Sequence, residues 1–336
     1  MLLKNKLKKV NEFCVFRGEL IWKENDLFFD GKRLYNGDIV LISTLDNIVL
    51  IQTESSGTTL IDVINEEQFQ IEETGTILSK NLLLSGSWNK DYSSRIIYAF
   101  DFRERIKVWE CESFFGKPFV FNDVLFGVLK SILFKINPST GEKLWEFSLS
   151  VYGEYFQNGE YHPMDVQKFL GVYKGVLYLI AGNCLILGVD VATGKEVYKF
   201  EYTEKVGGLF NTALDTDTGS VFSLGPYHYI EISLENPTCK VFDISESVAK
   251  HKLEGERLGS WEKNLIYFWE GSRNNRFGIF DRNKKEIIWS DDIAEVKDHF
   301  PAIINVKHGG NKLYVHDINL TLHIFEIDEE LNLAGE

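Results

Sequence analysis

Apolar and aromatic positions gather in short runs, each closed by a polar turn, and one phrase recurs along the chain. It consists of an apolar-aromatic run, an Asp or Asn, a polar turn, and an aromatic eight residues after the Asp or Asn. It reads Ile97-Tyr98-Ala99-Phe100-Asp101 to Trp109, and Leu133-Phe134-Lys135-Ile136-Asn137 to Trp145. It returns as Ile186-Leu187-Gly188-Val189-Asp190 to Tyr198, and as Phe277-Gly278-Ile279-Phe280-Asp281 to Trp289. Short runs rich in Ile, Val, Phe and Tyr, bounded by turn residues, predict strands. The constant offset predicts that each phrase is a two-stranded hairpin. Self-similarity on this scale predicts stacked supersecondary units.

The turn chemistry is partly explicit. In Asn137-Pro138-Ser139-Thr140-Gly141-Glu142, the Asn side chain can bond the turn backbone, Pro presets φ, and Gly supplies a positive φ. Asp190-Val191-Ala192-Thr193-Gly194-Lys195 keeps the pattern without the proline. Asp101-Phe102-Arg103-Glu104 and Asp281-Arg282-Asn283-Lys284 keep the Asp and lose the Gly, which predicts another turn type at those places. The closing aromatic starts a strand, where a large ring can wedge between adjacent sheets. Packing between repeats is therefore the role expected of Trp109, Trp145, Tyr198 and Trp289.

Weaker copies extend the series. Leu60-Ile61-Asp62 leads to Phe69, Ile230-Glu231-Ile232-Ser233 leads to Val241-Phe242, and Ile324-Phe325-Glu326 leads to Leu331 and Leu333. Successive Asp-equivalent positions lie between 36 and 53 residues apart. A unit near that length with four short strands matches a propeller blade. The expected fold class is all-β, a single β-propeller of four-stranded blades over residues 1–336, with seven blades favoured and eight admitted. The segment Phe13–Asn36 is read either as a shortened extra blade or as a strand that closes the ring and protects a sheet edge. Residues 1–40 are accordingly set apart as an N-terminal segment.

The Asp-x-x-Thr-Gly-x-x-x-Trp phrase resembles the repeat of quinoprotein-type propellers, the pyrroloquinoline-quinone-like family. The likeness is strong at residues 97–110, 124–146, 176–199 and 265–290. That family contains quinone- and calcium-dependent dehydrogenases and cofactor-free scaffolds such as an outer-membrane assembly lipoprotein. The adjacent-cysteine pair of the dehydrogenases is absent, and their calcium ligands and cofactor-stacking Trp match no position here. The resemblance thus implies the cofactor-free branch, with no catalytic, cofactor or metal residues.

Composition narrows the function classes. Fifty acids against thirty-six Lys and Arg give a net charge of −14, which argues against nucleic-acid binding and suits a basic or mixed-charge protein partner. No apolar run approaches a membrane-spanning helix. Residues 1–12 carry Lys4, Lys6, Lys8 and Lys9 without the apolar stretch of an export signal, so a cytoplasmic location is expected. Cys14, Cys111, Cys184 and Cys239 lack metal or redox spacing and read as free thiols. No dinucleotide, phosphate-loop or His-Glu-x-x-His motif occurs.

In a propeller, the loops from second to third strand and those between blades open on the face opposite the Asp-turns. Here several of them are long and aromatic. The longest is Val151–Asp165, with Tyr155, Tyr161 and His162; Trp88, Asp91 and Tyr92, Tyr227 and His228, and Arg273 and Arg276 occupy others. Tyr, Trp and Arg dominate binding hot spots. These ten residues are the candidate partner-binding set. His162 with Asp165, and His316 with Asp317, are the adjacent pairs that could do acid-base or metal chemistry.

The favoured function is a non-enzymatic propeller that binds a protein through the long-loop face, with an immunity (antitoxin) protein as one specific form. The alternatives are an enzyme using the central channel (a lyase, a hydrolase or a quinone- or metal-dependent oxidoreductase) and a carbohydrate- or small-molecule-binding propeller.

Overall fold

A computed structural model describes residues 1–23, 26–29, 31–37, 39–53, 57–88, 95–112, 118–121, 124–182, 185–202, 211–254, 257–270, 276–293 and 302–327. Over these residues the chain is a single β-propeller of eight four-stranded antiparallel blades. Strand β1 (Leu2–Leu7) precedes blade I, formed by β2 (Glu12–Phe16), β3 (Glu19–Lys23), β4 (Asp26–Phe29) and β5 (Lys32–Asn36). Blade II is β6 (Ile39–Leu45), β7 (Ile48–Thr53), β8 (Thr58–Asp62) and β9 (Glu67–Ile71). Blade III is β10 (Gly75–Ile77), β11 (Leu82–Trp88), β12 (Arg95–Asp101) and β13 (Ile106–Glu112). Blade IV is β14 (Pro118–Phe121), β15 (Val124–Leu129), β16 (Ile132–Ile136) and β17 (Lys143–Ser148). A separate pair, β18 (Glu154–Gln157) and β19 (Glu160–Pro163), precedes blade V, which is β20 (Val166–Tyr173), β21 (Val176–Ala181), β22 (Leu185–Asp190) and β23 (Glu196–Glu201). Blade VI is β24 (Thr212–Asp215), β25 (Ser220–Leu224), β26 (His228–Ser233) and β27 (Cys239–Asp243), followed by helix α1 (Ser245–Lys250). Blade VII is β28 (Arg257–Glu262), β29 (Leu265–Trp269), β30 (Arg276–Asp281) and β31 (Glu286–Asp292). The last strands are β32 (Ile303–Gly309), β33 (Lys312–Asp317) and β34 (Leu322–Glu326).

Eight blades replace the favoured seven, and both readings of the N-terminus are realised by different segments. Residues 12–36 form a complete blade I. The closing strand lies upstream of it: β1 pairs with β34, from Leu2 opposite Glu326 to Leu7 opposite Leu322, and completes blade VIII. The fourth strand expected at Leu331 and Leu333 is thus supplied by the N-terminus, and those two residues lie outside the described set.

Residues 1–36 with 203–336 make one compact unit, and residues 37–202 another. In the second unit, each interface between successive blades is a separate apolar cluster. Leu50 and Leu60 meet Leu83 and Phe102 between blades II and III. Ala99 and Trp109 meet Leu125 and Ile136 between III and IV, and Phe126 and Leu133 meet Leu179 and Leu187 between IV and V. In the first unit, Phe222 and Tyr229 pack on Ile266 and Phe280, and Tyr267 and Phe277 on Leu313 and Phe325. Val10, Phe13 and Leu20 of the N-terminal segment pack on Tyr314 and Leu322 of blade VIII.

The recurring Asp is explained by its turn. Asp62, Asp101 and Asp281 each accept two backbone N–H groups with Oδ1 (from residues 64 and 65, 103 and 104, and 283 and 284) at 2.8–3.1 Å. Asn137 accepts from Ser139 N at 2.9 Å, and Asp190 from Thr193 N at 2.7 Å. The fourth residue after the Asp or Asn has a positive φ in all five turns: Glu66 56°, Arg105 59°, Gly141 76°, Gly194 71° and Lys285 59°. The expectation of a different turn where Gly is missing is therefore corrected. The Lys285 turn keeps even the hydrogen bond, Lys285 N to Asp281 O at 2.8 Å, matching Gly194 N to Asp190 O at 2.8 Å.

Glycine is needed where the ring of the preceding blade sits on the turn. A Cβ on Gly141 would lie 2.6 Å from the Trp109 ring, and one on Gly194 2.7 Å from that of Trp145. The same indoles donate Nε1–H into those turns, Trp109 to Pro138 O at 2.7 Å and Trp145 to Val191 O at 3.0 Å. Trp109 and Trp145 thus stack on the following blade's turn and satisfy their own polar atoms there.

Candidate interaction surface

The segment expected as the longest loop, 151–165, is ordered structure. A 3-10 turn at Leu149–Tyr152 ends at Gly153, and β18 then pairs with β19 through Asn158-Gly159, both at positive φ (52° and 89°). Two consecutive left-handed residues define the type I′ turn, whose twist matches that of the flanking strands. The register sets Tyr155 opposite His162, Phe156 opposite Tyr161 and Gln157 opposite Glu160.

Alternation then divides the hairpin into two faces. Tyr155 and His162 share one, with ring centroids 5.7 Å apart. Tyr155 packs on Gly182 and Met164 and joins the buried cluster between blades IV and V. Gln167 Nε2 donates to its hydroxyl at 2.7 Å, and burial together with the Asp165 carboxylate raises its pKa. Gly182 N–H donates to Asp165 O at 3.0 Å and Met164 N–H to Gly153 O at 3.0 Å, tying the hairpin's base to blade V. Tyr155 is thus an anchor of the hairpin more than a group held out to solvent.

The other face carries Phe156 and Tyr161, which are 59% and 71% exposed. Their rings meet edge to face at 5.2 Å. Exposed Glu154 and Pro163 lie on the same face by register, and Val151 at the base is 74% exposed. Beneath, the Tyr152 hydroxyl donates to Glu196 and Lys199 Nζ sits 5.1 Å from the Tyr152 ring centroid.

Tyr227 and His228 lie at the turn from β25 to β26, in the other unit. Tyr227 is 49% exposed, its carbonyl accepting from Ile244 N–H at 2.9 Å just before α1. His228 is half-buried opposite Asp243. Arg276 opens β30, donating Nη1–H to His251 O at 3.2 Å, while buried Glu270 accepts from Glu254 N and from Arg276 N. Trp88 ends β11 opposite Arg95, with its side chain outside the described residues, where Asp91, Tyr92 and Arg273 also lie.

The expected acid-base pairs are not solvent-facing dyads. His316 and Asp317 are 3% and 1% exposed. His316 Nε2 bonds Val10 O at 2.6 Å, and Asp317 is bridged at 2.7 Å by His323 instead of its neighbour. His162 packs on Tyr155, and Asp165 accepts from Gln167 Nε2 at 2.6 Å. Among the described residues no three His, Cys, Asp or Glu side chains gather as metal ligands, and no helix is long and apolar enough to cross a membrane.

Sequence reasoning missed Phe156, half of the most exposed aromatic pair in this region. The signal was present: Asn158-Gly159 between aromatic residues is a strong hairpin signature, and hairpin register would have paired Phe156 with Tyr161.

No protein-family model matches the sequence, and no curated protein matches it. Solved structures do resemble its fold. The C-terminal WD40 domain of Sif2 has a TM-score of 0.60 at 11% identity, and Sqt1 from Saccharomyces cerevisiae 0.60 at 10%. BamB from Moraxella catarrhalis has 0.58 at 12%. All three likenesses cover 97% of this chain and 99% of the other. At such identities they establish the propeller fold alone.

Proposed function

We propose that this chain is a non-enzymatic, protein-binding propeller whose recognition element is the β18–β19 hairpin. One observation carries the reading: an exposed Phe156–Tyr161 pair displayed on a hairpin anchored by Tyr155. The edge-to-face contact steadies the hairpin only modestly, and leaving two large rings mostly in water forgoes their burial, while rigid aromatics with few rotors are the side chains that dominate binding energy. Tyr227 in the other unit is a further exposed aromatic of the same set.

The Asp-turn phrase and the likeness to BamB, a propeller of pyrroloquinoline-quinone-like repeats, support assignment to the cofactor-free branch of the quinoprotein-type repeats. The net charge of −14 supports a basic partner, as an immunity protein binding a basic toxin would have, and a cytoplasmic location is proposed with it. The small-molecule reading has an observation of its own: a cavity of about 300 Å³ beside β10, lined by Leu41, Gln52, Thr74, Thr76 and Ser85 among others and by no charged residue.

The test is affinity purification from the native cell with the wild-type chain and with Phe156→Ala/Tyr161→Ala. Deleting the exposed edge-to-face pair should cost no more than about 1.5 kcal/mol, so the variant should stay folded. Loss of the main partner from the variant, with a cooperative melt retained, supports the reading; equal capture by both proteins contradicts it.

A further inference from the structure

Resting on that reading, we infer that the Phe156–Tyr161 face receives a cationic side chain, an Arg or Lys presented by a basic segment of the partner. Register and alternation place four residues on this face: Glu154 and Phe156 from β18, Tyr161 and Pro163 from β19. The face therefore offers two aromatic rings, a proline and one carboxylate. Glu154 lies two residues from Phe156 on the same strand and side, and both it and Pro163 are exposed. No Lys or Arg occurs between Val151 and Val166, whereas Glu154, Glu160 and Asp165 all do.

An aromatic face attracts a cation through its quadrupole, and a carboxylate alongside adds charge pairing to the same group. An anionic partner group would meet Glu154 with no Lys or Arg on the hairpin to offset it, and the neighbouring Lys199 lies over the Tyr152 ring. A purely apolar group would leave that carboxylate to be desolvated without a partner. Charge complementarity thus selects one occupant. The chain already pairs cations with aromatics elsewhere, as with Lys199 over Tyr152 at 5.1 Å and Lys107 over Tyr98 at 4.6 Å.

The probe is N-acetyl-argininamide, titrated while the aromatic ¹H–¹³C signals of Phe156 and Tyr161 are followed, with N-acetyl-leucinamide as the neutral control. Saturable shifts with the arginine compound, weakened by salt and by Glu154→Gln and absent with leucine, are the expected result. Equal shifts with both compounds, or none with arginine, overturn the cationic assignment. The natural partner separates the two levels of the proposal. If Tyr161→Ala weakens capture by about tenfold or more while Glu154→Gln and salt have no effect, the docking surface stands and the cationic occupant falls. If Phe156→Ala/Tyr161→Ala leaves capture unchanged, both fall.

Discussion

A left-handed residue four positions after the Asp is common to the five turns, but only two spend a glycine on it. The difference lies in the neighbour. Gly141 and Gly194 each lie under a Trp ring, whereas Arg105 follows a blade whose aromatic, Phe69, is covered instead by Phe102 and Arg103. Gly194→Ala should therefore destabilise by more than the ~1–2 kcal/mol of a left-handed L-residue, because its Cβ also overlaps the Trp145 ring. Arg105→Gly relieves the same conformational strain and loses roughly 0.5–1 kcal/mol to backbone entropy, leaving stability unchanged or slightly higher. Urea denaturation of the two variants checks both; similar losses would refute this account of the turn. The Asp, the Gly and the Trp were legible from their spacing. That Arg105 and Lys285 adopt the glycine conformation was not, because propensity alone disfavours it and the fold overrides it.

Strands with one buried side were legible because burial imposes a pattern. β1 was not, since Leu2 to Lys6 are all exposed and its pairing with β34 joins opposite ends of the chain. Its hold is backbone pairing plus contacts such as Lys4 Nζ to Glu326 at 2.7 Å. Buried contacts between elements include one ion pair that no periodicity announces. Arg282, in the turn just after β30, reaches back to blade VI, donating to Asp215 at 2.6 Å and to the Tyr229 hydroxyl at 2.8 Å, over the Phe222 ring at 4.2 Å. Both partners of the pair are buried, at 4% and 7% side-chain exposure. Arg282→Ala would strand Asp215 and should cost roughly 3–5 kcal/mol. Arg282→Met/Asp215→Asn removes both charges but keeps the Oδ1 acceptor that Asp215 offers to Asp217 N–H and Thr218 N–H, and it should cost clearly less than Arg282→Ala, as read by chemical denaturation. If the double variant is the less stable, the ion pair itself carries net stability and this reading of it fails.

At the scale of the molecule, acid should loosen the first unit before it affects the second. His251, His308 and His316 all belong to that unit, and burial is the leading cause lowering each below the usual histidine value of 6.5. Above that value they are neutral in both folded and unfolded chains and contribute no pH dependence. As pH falls below it, the unfolded chain takes up protons first, so stability declines until the lowered folded values are reached. Asp317 adds a second, more acidic window. Burial alone would raise its pKa, but the His323 hydrogen bond and the Thr321 N–H hold it below 3.8, so that contribution is lost as pH falls further. Hydrogen exchange between about pH 7 and pH 5 should show protection falling around His316 and Val10 first. Uniform loss across both units would contradict the assignment. Function is less legible than fold at this scale, because exposed loop residues follow no repeat. Of the ten expected contact residues, the hairpin brings together Tyr155, Tyr161 and His162, and it turns Tyr155 inward.

The most direct test is hydrogen exchange of the purified complex against the free chain. Binding through the hairpin requires new protection within residues 154–163, centred on Phe156 and Tyr161, with the Asp-turns at Asn137 and Asp190 unchanged. Protection confined to those turns, or to outer strands such as β13 and β17, would contradict it.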